Sequence, residues 1–224
     1  MLAKGKRVFG VLLAISGLLF LGGVAVERSG AGEALPTREN PIIVDTAGNR
    51  VLVYTEVNEM NVHQPNVHWG VVFKDGKFQD RAILKSWANH LAFHDGITKI
   101  GGKPGNNLTK DTIGNHVEGD ELDITALVPG SGKELKLGDV FVDLAGKEFK
   151  IKFGGNRTAS EAQNTGCITC LESCWIAVSS NTTYPQTGSI KRFVNPNSKF
   201  KGNPANLPGE GKPVVLVYRV KSKR

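Results

Sequence analysis

The chain has 224 residues, 40% of them hydrophobic and 22% charged. That is a globular composition, and it excludes wholesale disorder and a polytopic membrane protein. The 27 Gly and 10 Pro follow no collagen period and favour a turn-rich β protein, and 3 Cys are too few for a disulfide-built scaffold.

Lys4, Lys6 and Arg7 precede an uncharged run from Val8 to Val26 that Glu27 and Arg28 close. Cations ahead of an apolar stretch are the pattern of a secretory signal or a membrane anchor, with the N-terminus cytoplasmic and the body exported. A helix of this length, rising about 1.5 Å per residue, nearly spans a hydrocarbon layer of roughly 30 Å. Residues 1–28 are therefore expected to be a signal peptide or membrane anchor, with residues 8–26 touching the membrane if uncut. Gly23-Val24-Ala25 and Ser29-Gly30-Ala31 offer small residues for a peptidase, so cleavage stays open. Lys6-Arg7-Val8-Phe9 resembles a twin-arginine export signal with Lys in the first Arg position. The expected location is the periplasm or the outer face of the inner membrane.

Without residues 1–28 the formal charge falls from +7 to about +4, because four cations and one anion go with them. The remaining cations are scattered apart from Arg219, Lys221, Lys223 and Arg224. Nucleic acid would want a clustered basic stripe with interleaved aromatics, so it is not an expected partner. An envelope protein or a small ligand is.

Residues 29–41 read as a linker, and 42–224 as one domain. Ile42–Val44 and Val51–Val57 flank Ala47-Gly48-Asn49 and predict a hairpin. Val67–Phe73 predicts a strand ending at the Asp75-Gly76 turn, and Ile83-Leu84 a short one after it. From Asn89 to Ile100 the period changes. Phe93, Ile97 and Ile100 recur at helical spacing behind Asn89 as N-cap, and Gly101-Gly102 stops the helix. Leu122–Val128 alternates as a strand, and Val140–Leu144 with Phe149–Phe153 predicts a hairpin across Ala145-Gly146. Ile176–Val178 is short and apolar, residues 195–213 are a proline-punctuated loop, and Val214–Val220 is a terminal strand. The fold class is α+β: a single β-dominated domain of roughly eight to ten strands and one helix, preceded by the apolar signal or anchor helix.

Several of these segments resemble one family. His68-Trp69-Gly70-Val71-Val72-Phe73, the helix near Phe93, and Ile100-Gly101-Gly102-Lys103-Pro104-Gly105-Asn106-Asn107 are similar to the YdjY-domain family of exported bacterial proteins. Cys167-Ile168-Thr169-Cys170-Leu171-Glu172-Ser173-Cys174 and Ser179-Ser180-Asn181 add to the likeness, which covers most of residues 42–220. The resemblance implies a β-rich exported domain without settled biochemical activity, and some members carry ferredoxin-like labels for the cysteine run. It supplies no catalytic residue.

Cys167, Cys170 and Cys174 form a C-x2-C-x3-C run. Thiolates so spaced converge on a soft metal, either zinc or an iron–sulfur cluster. The ferredoxin run is C-x2-C-x2-C-x3-C-P; here its first Cys is missing and Trp175 replaces the Pro, so a fourth ligand must come from elsewhere. In an oxidising envelope the leading expectation is a disulfide between two of the three with one thiol spare. Cys170 and Cys174 would face each other on a helical turn, and Cys167 with Cys170 would make a redox-type loop.

His90 and His94 stand four apart on the helix and are a possible metal pair, though the expectation is a surface pair opposite Phe93, Ile97 and Ile100. His63, His68 and His116 are lone histidines, and Asp120, Glu121 and Asp123 read as a solvated turn. No recognised motif pairs a nucleophile with a base. The reading is an exported or anchored envelope binding module whose special site is the three-cysteine segment. The alternative is a periplasmic redox or metal protein using those cysteines.

Overall fold

The computed structural model describes residues 34–65, 68–187 and 200–221. The expected signal or anchor (1–28) and the first part of the linker lie outside them. Among the described residues no helix is long and apolar enough to cross a membrane.

Strands β1 (Ile42–Asp45) and β2 (Arg50–Val57) form the expected hairpin. Asn49 takes φ 51° in its turn, and the Gly48 N–H donates to Asp45 Oδ1. After the short helix α1 (Met60–His63) come β3 (Trp69–Phe73) and β4 (Leu84–Ser86). Helix α2 (His90–Lys99) starts where its cap was expected: Asn89 Oδ1 accepts the Leu91 N–H at 2.7 Å. It ends on Gly101 at φ 91°, a left-handed position that Gly occupies at little cost.

β5 (Glu121–Leu127) alternates as its sequence does, burying Leu122, Ile124 and Ala126. β6 (Glu134–Lys136), α3 (Leu137–Val140), β7 (Phe141–Asp143) and β8 (Ile151–Phe153) follow. Then come α4 (Arg157–Gln163), β9 (Cys167–Cys170), β10 (Ser179–Asn181), β11 (Phe200–Gly202) and β12 (Pro213–Val220).

The main sheet runs β2-β12-β5-β8-β10-β9-β3-β4 and closes through β4 onto β2, giving an eight-stranded barrel with β1 and β6 paired at its side. Closure leaves these eight strands without an open edge. One face of the closed sheet, with Phe93 and Ile97 of α2, forms the main core. Tyr218 of β12 lies in that core, its ring 4.6 Å from Phe93 and its hydroxyl 2.9 Å from Thr169 Oγ1 of β9.

The expected hairpin of β7 with β8 does not form. β8 pairs with β5 and β10, while β7 pairs with β11 in a separate two-stranded sheet. The connection between β7 and β8 is long, and Phe149 within it packs against Phe141 and Phe200. That aromatic contact, made with a segment read as loop, decides the pairing. Helix α4 was also missed. Its segment, Arg-Thr-Ala-Ser-Glu-Ala-Gln, has no apolar period and buries only Ser160.

Residues 34–41, the described end of the expected linker, pack on the sheet. Leu35 is buried with Leu52, Val215 and Val217, and the Arg38 guanidinium lies over Trp87 and pairs with Glu56.

Candidate functional site

A regular strand sends residues three apart to opposite faces. Cys167 and Cys170 nevertheless share one. The register runs Trp69↔Cys170, Val71↔Thr169, Val72↔Cys167, so Ile168 is an extra residue between successive partners of β3. The bulge sends both Ile168 and Thr169 toward the main core, where Ile168 packs and Thr169 meets Tyr218. Both cysteines then lie on the other face, in a second cluster with Trp69, Val72, Ala82 and Ala177. Cys174, in the loop before β10, packs against the same cluster from outside.

All three cysteines are free thiols. Cys167 and Cys170 are buried, and Cys174 is partly exposed. Cys170 and Cys174 neighbour each other in this cluster, although the two do not lie on a helical turn. The neighbouring Cys170 thiol is the largest cause lowering the Cys174 pKa to about 7; the nearby His68 and the N–H groups of Ile176 and Ala177 act in the same direction, against desolvation. Burial pushes the Cys167 and Cys170 thiols up instead. One thiol of the three is thus set apart as a thiolate near neutrality.

A cavity of about 40 Å³ opens beside Cys174, lined by His68, Trp69, Phe78, Cys167, Trp175 and Gln186 among others. His68 Nδ1–H donates to Glu172 Oε1 at 2.7 Å, and Glu172 is 3% exposed. The carboxylate fixes the ring beside the thiol. The His68 ring lies 4.3 Å from that of Trp69 at a tilt of 53°, and the Arg81 guanidinium sits over Trp69 at 5.2 Å. Gln186 Nε2 donates to the Thr109 carbonyl at 2.7 Å, while its buried Oε1 has no hydrogen-bond partner.

Sequence reasoning found the three cysteines and missed His68, Glu172 and Gln186 as their neighbours. His68 and Glu172 are 104 residues apart. Glu172 lay inside the cysteine run, and that position was its only signal.

Among the described residues no three His, Cys, Asp or Glu side chains are grouped so as to hold a metal ion.

His90 and His94 do not form a surface pair. His90 is 2% exposed and its ring nitrogens have no hydrogen-bond partner, while His94 packs on Phe153 at 5.1 Å with Nδ1 3.2 Å from Asp95. α2 buries its His90 side because α4 packs over it, a helix its sequence did not announce. Desolvation lowers the His90 pKa. The unfolded chain therefore takes up this proton first, and stability falls as pH drops below the ordinary histidine value of about 6.5. Replacing His90 with Met should flatten the slope of Tm against pH on that acid side. An unchanged slope would show that His90 carries none of it.

The remaining candidates are structural. His63 is an exposed partner of Glu59, and His116 Nδ1 donates to the Thr182 carbonyl at 2.6 Å. Asp120 is buried and accepts the Lys103 N–H at 2.9 Å, and Lys221 pairs with Glu121.

The fold and site define a class: a closed β-barrel domain with a thiol-lined cavity on the face of the sheet turned away from its core. The YdjY domain model matches residues 42–219, so the chain belongs to the YdjY-domain family. It is 34% identical over 185 residues to the "Uncharacterized protein YdjY" of Escherichia coli (strain K12), covering 82% of this chain and 80% of that protein. No solved structure matches.

Proposed function

We propose that this YdjY-domain protein is an exported or membrane-anchored module of the bacterial cell envelope that works through the thiol cavity, with Cys170 and Cys174 alternating between dithiol and disulfide. The observation that carries this reading is the gathering of three thiols in one place, Cys167 and Cys170 in a single cluster with Cys174 packed against it. A thiolate held against a second thiol is the arrangement disulfide formation starts from, since the thiolate is the reacting form. The three cations before the run Val8–Val26 support the envelope location, where such a pair meets oxidants. A binding role for the same cavity is favoured by its mixed lining, in which His68, Glu172, Ser173 and Thr187 set polar groups among Trp69, Phe78 and Ile176.

Two measurements test the reading. Cell fractionation should place the native protein in the envelope and not among cytosolic enzymes. Equilibration in dithiothreitol redox buffers, followed by thiol titration, should give three free thiols at the reducing end and one at the oxidising end. Three titratable thiols at every poise would remove the redox role.

A further inference from the structure

Helix α4 is a loosely held cover over a buried histidine. Of its seven residues only Ser160 is buried. Its two ends are tied down. Asn156 and Asn164 flank it in the left-handed region, at φ 47° and 46°. The Asn156 N–H donates to Asn106 Oδ1 at 2.9 Å, and the Asn164 carbonyl accepts the Lys77 N–H at 3.2 Å. The helix itself is pinned to α2 by Arg157 and Asp95, at 3.1 and 3.2 Å, an exposed pair that stabilises weakly. Beneath it lies His90. Among the described residues five buried side-chain polar atoms lack a hydrogen-bond partner, and three of them are His90 Nδ1, His90 Nε2 and Ser160 Oγ, at this one joint. Few apolar contacts and unmade hydrogen bonds mark a segment that opens before the rest of the domain unfolds.

We propose that α4 is an acid-operated flap: it swings off α2 about Asn156 and Asn164 when His90 takes up a proton, and so uncovers the ring it hides. A neutral imidazole is tolerated in the closed joint. A charged one, with two N–H donors, is not, because burial removes water and neither nitrogen has a hydrogen-bond partner there. Opening returns the ring to water and to its ordinary pKa of about 6.5. Desolvation holds the closed ring below that value. The closed state therefore binds fewer protons, and the open fraction rises as pH falls below about 6.5, by up to about tenfold per pH unit. The charged groups acting on the ring are Glu161, which favours its charge, and Arg157, which opposes it; both ride on α4. On α2, His94 pairs with Asp95, and Lys99 lies in the last turn. Of the other elements packed against α2, β1 and β2 carry Asp45, Arg50 and Glu56, engaged as Asp45–Arg50 and Arg38–Glu56 pairs, and β9 carries Cys167 and Cys170. The Arg157 guanidinium holds Asp95 below the usual carboxylate range, so the pin stays charged while His90 titrates.

The test is amide hydrogen exchange read by mass spectrometry on the full chain in detergent, from pH 7 to pH 5, with rates corrected for the intrinsic pH dependence of exchange. Protection of peptides covering residues 157–164 should fall by roughly tenfold across that range. Peptides from β2 and β12 should keep theirs. H90M should remove the response. D95N, which unpins Arg157, should lower protection of the same residues at every pH and leave the response in place. H94Q and E161Q change the other titratable groups near the joint, and each should retain the response. If H90M does not fold, these three exposed or half-exposed variants and the unaltered protein decide. Protection of 157–164 that does not change with pH overturns the proposal. So does a loss shared equally by β2 and β12, which would be global unfolding. A response that survives in H90M, or that vanishes in H94Q or E161Q, would remove His90 as the group that operates the flap.

Discussion

Iodoacetamide should label native protein at one thiol, Cys174, with a midpoint near pH 7. The ordinary thiol value here is 9.0, and the value of about 7 has named causes. The neighbouring Cys170 thiol, His68 and the backbone N–H groups of Ile176 and Ala177 all favour its charged form. At neutrality about half of Cys174 is thiolate, against a few per cent for free cysteine. A thiolate of lower pKa is a weaker nucleophile, so the net gain in rate over the unfolded chain is roughly fivefold. C170A removes the largest of these causes and should move the midpoint up. H68Q should move it up by less. Cys167 and Cys170 should label only on unfolding, since both are buried. Mass-resolved labelling across the neutral and alkaline range reads all of this, and a native midpoint near 9.0 would leave the site without its special thiol.

Y218A should cost about 3–5 kcal/mol, the range for truncating a buried aromatic. In a domain of this size that lowers Tm by roughly 10 °C. Tyr218 is fully buried in the central strand β12, between β2 and β5, and its hydroxyl ties β12 to Thr169 of β9 across the core. Thr169 also meets Ser179 Oγ at 2.9 Å, so the tie reaches β10. The loss should loosen the bulge that sets Cys167 and Cys170 on one face. Y218F keeps the ring and removes one hydrogen bond, so about 1 kcal/mol is expected. Calorimetry separates the two variants, and a Y218A loss no larger than that of Y218F would show that the ring fills no essential space. The pH dependence has a definite sign. Burial raises the folded pKa of Tyr218, Cys167 and Cys170, so the unfolded chain loses these protons first. The contribution of these three groups is therefore intact below the ordinary thiol and phenol range and is lost as pH rises through it, while the lowered Cys174 pKa adds stability between about 7 and 9.0.

The local elements were legible because their signals are local. Asn89 caps α2, Gly101 ends it, and Leu122, Ile124 and Ala126 alternate on β5, each within a few residues of chain. The β7–β8 hairpin was misread because a turn-like Ala145-Gly146 says nothing of the distant Phe200 that captures β7. His90 was placed at the surface because α4, which covers it, has no apolar stripe to announce it. The cysteine run was found as a unit, but spacing alone left metal, disulfide and inert thiols open.

By itself the sequence determined a β-dominated domain, one capped helix and a concentration of sulfur in eight residues, because propensity, periodicity and turn chemistry act over short spans of chain. Only the tertiary structure decided that the sheet closes through β4 onto β2, that a bulge at Ile168 turns two cysteines to one side, and that His68, Glu172 and Gln186 gather beside Cys174. Those are pairings across many tens of residues. They are fixed by which distant strand completes a ladder and which side chain fills a shared core, and no local pattern in the chain encodes either.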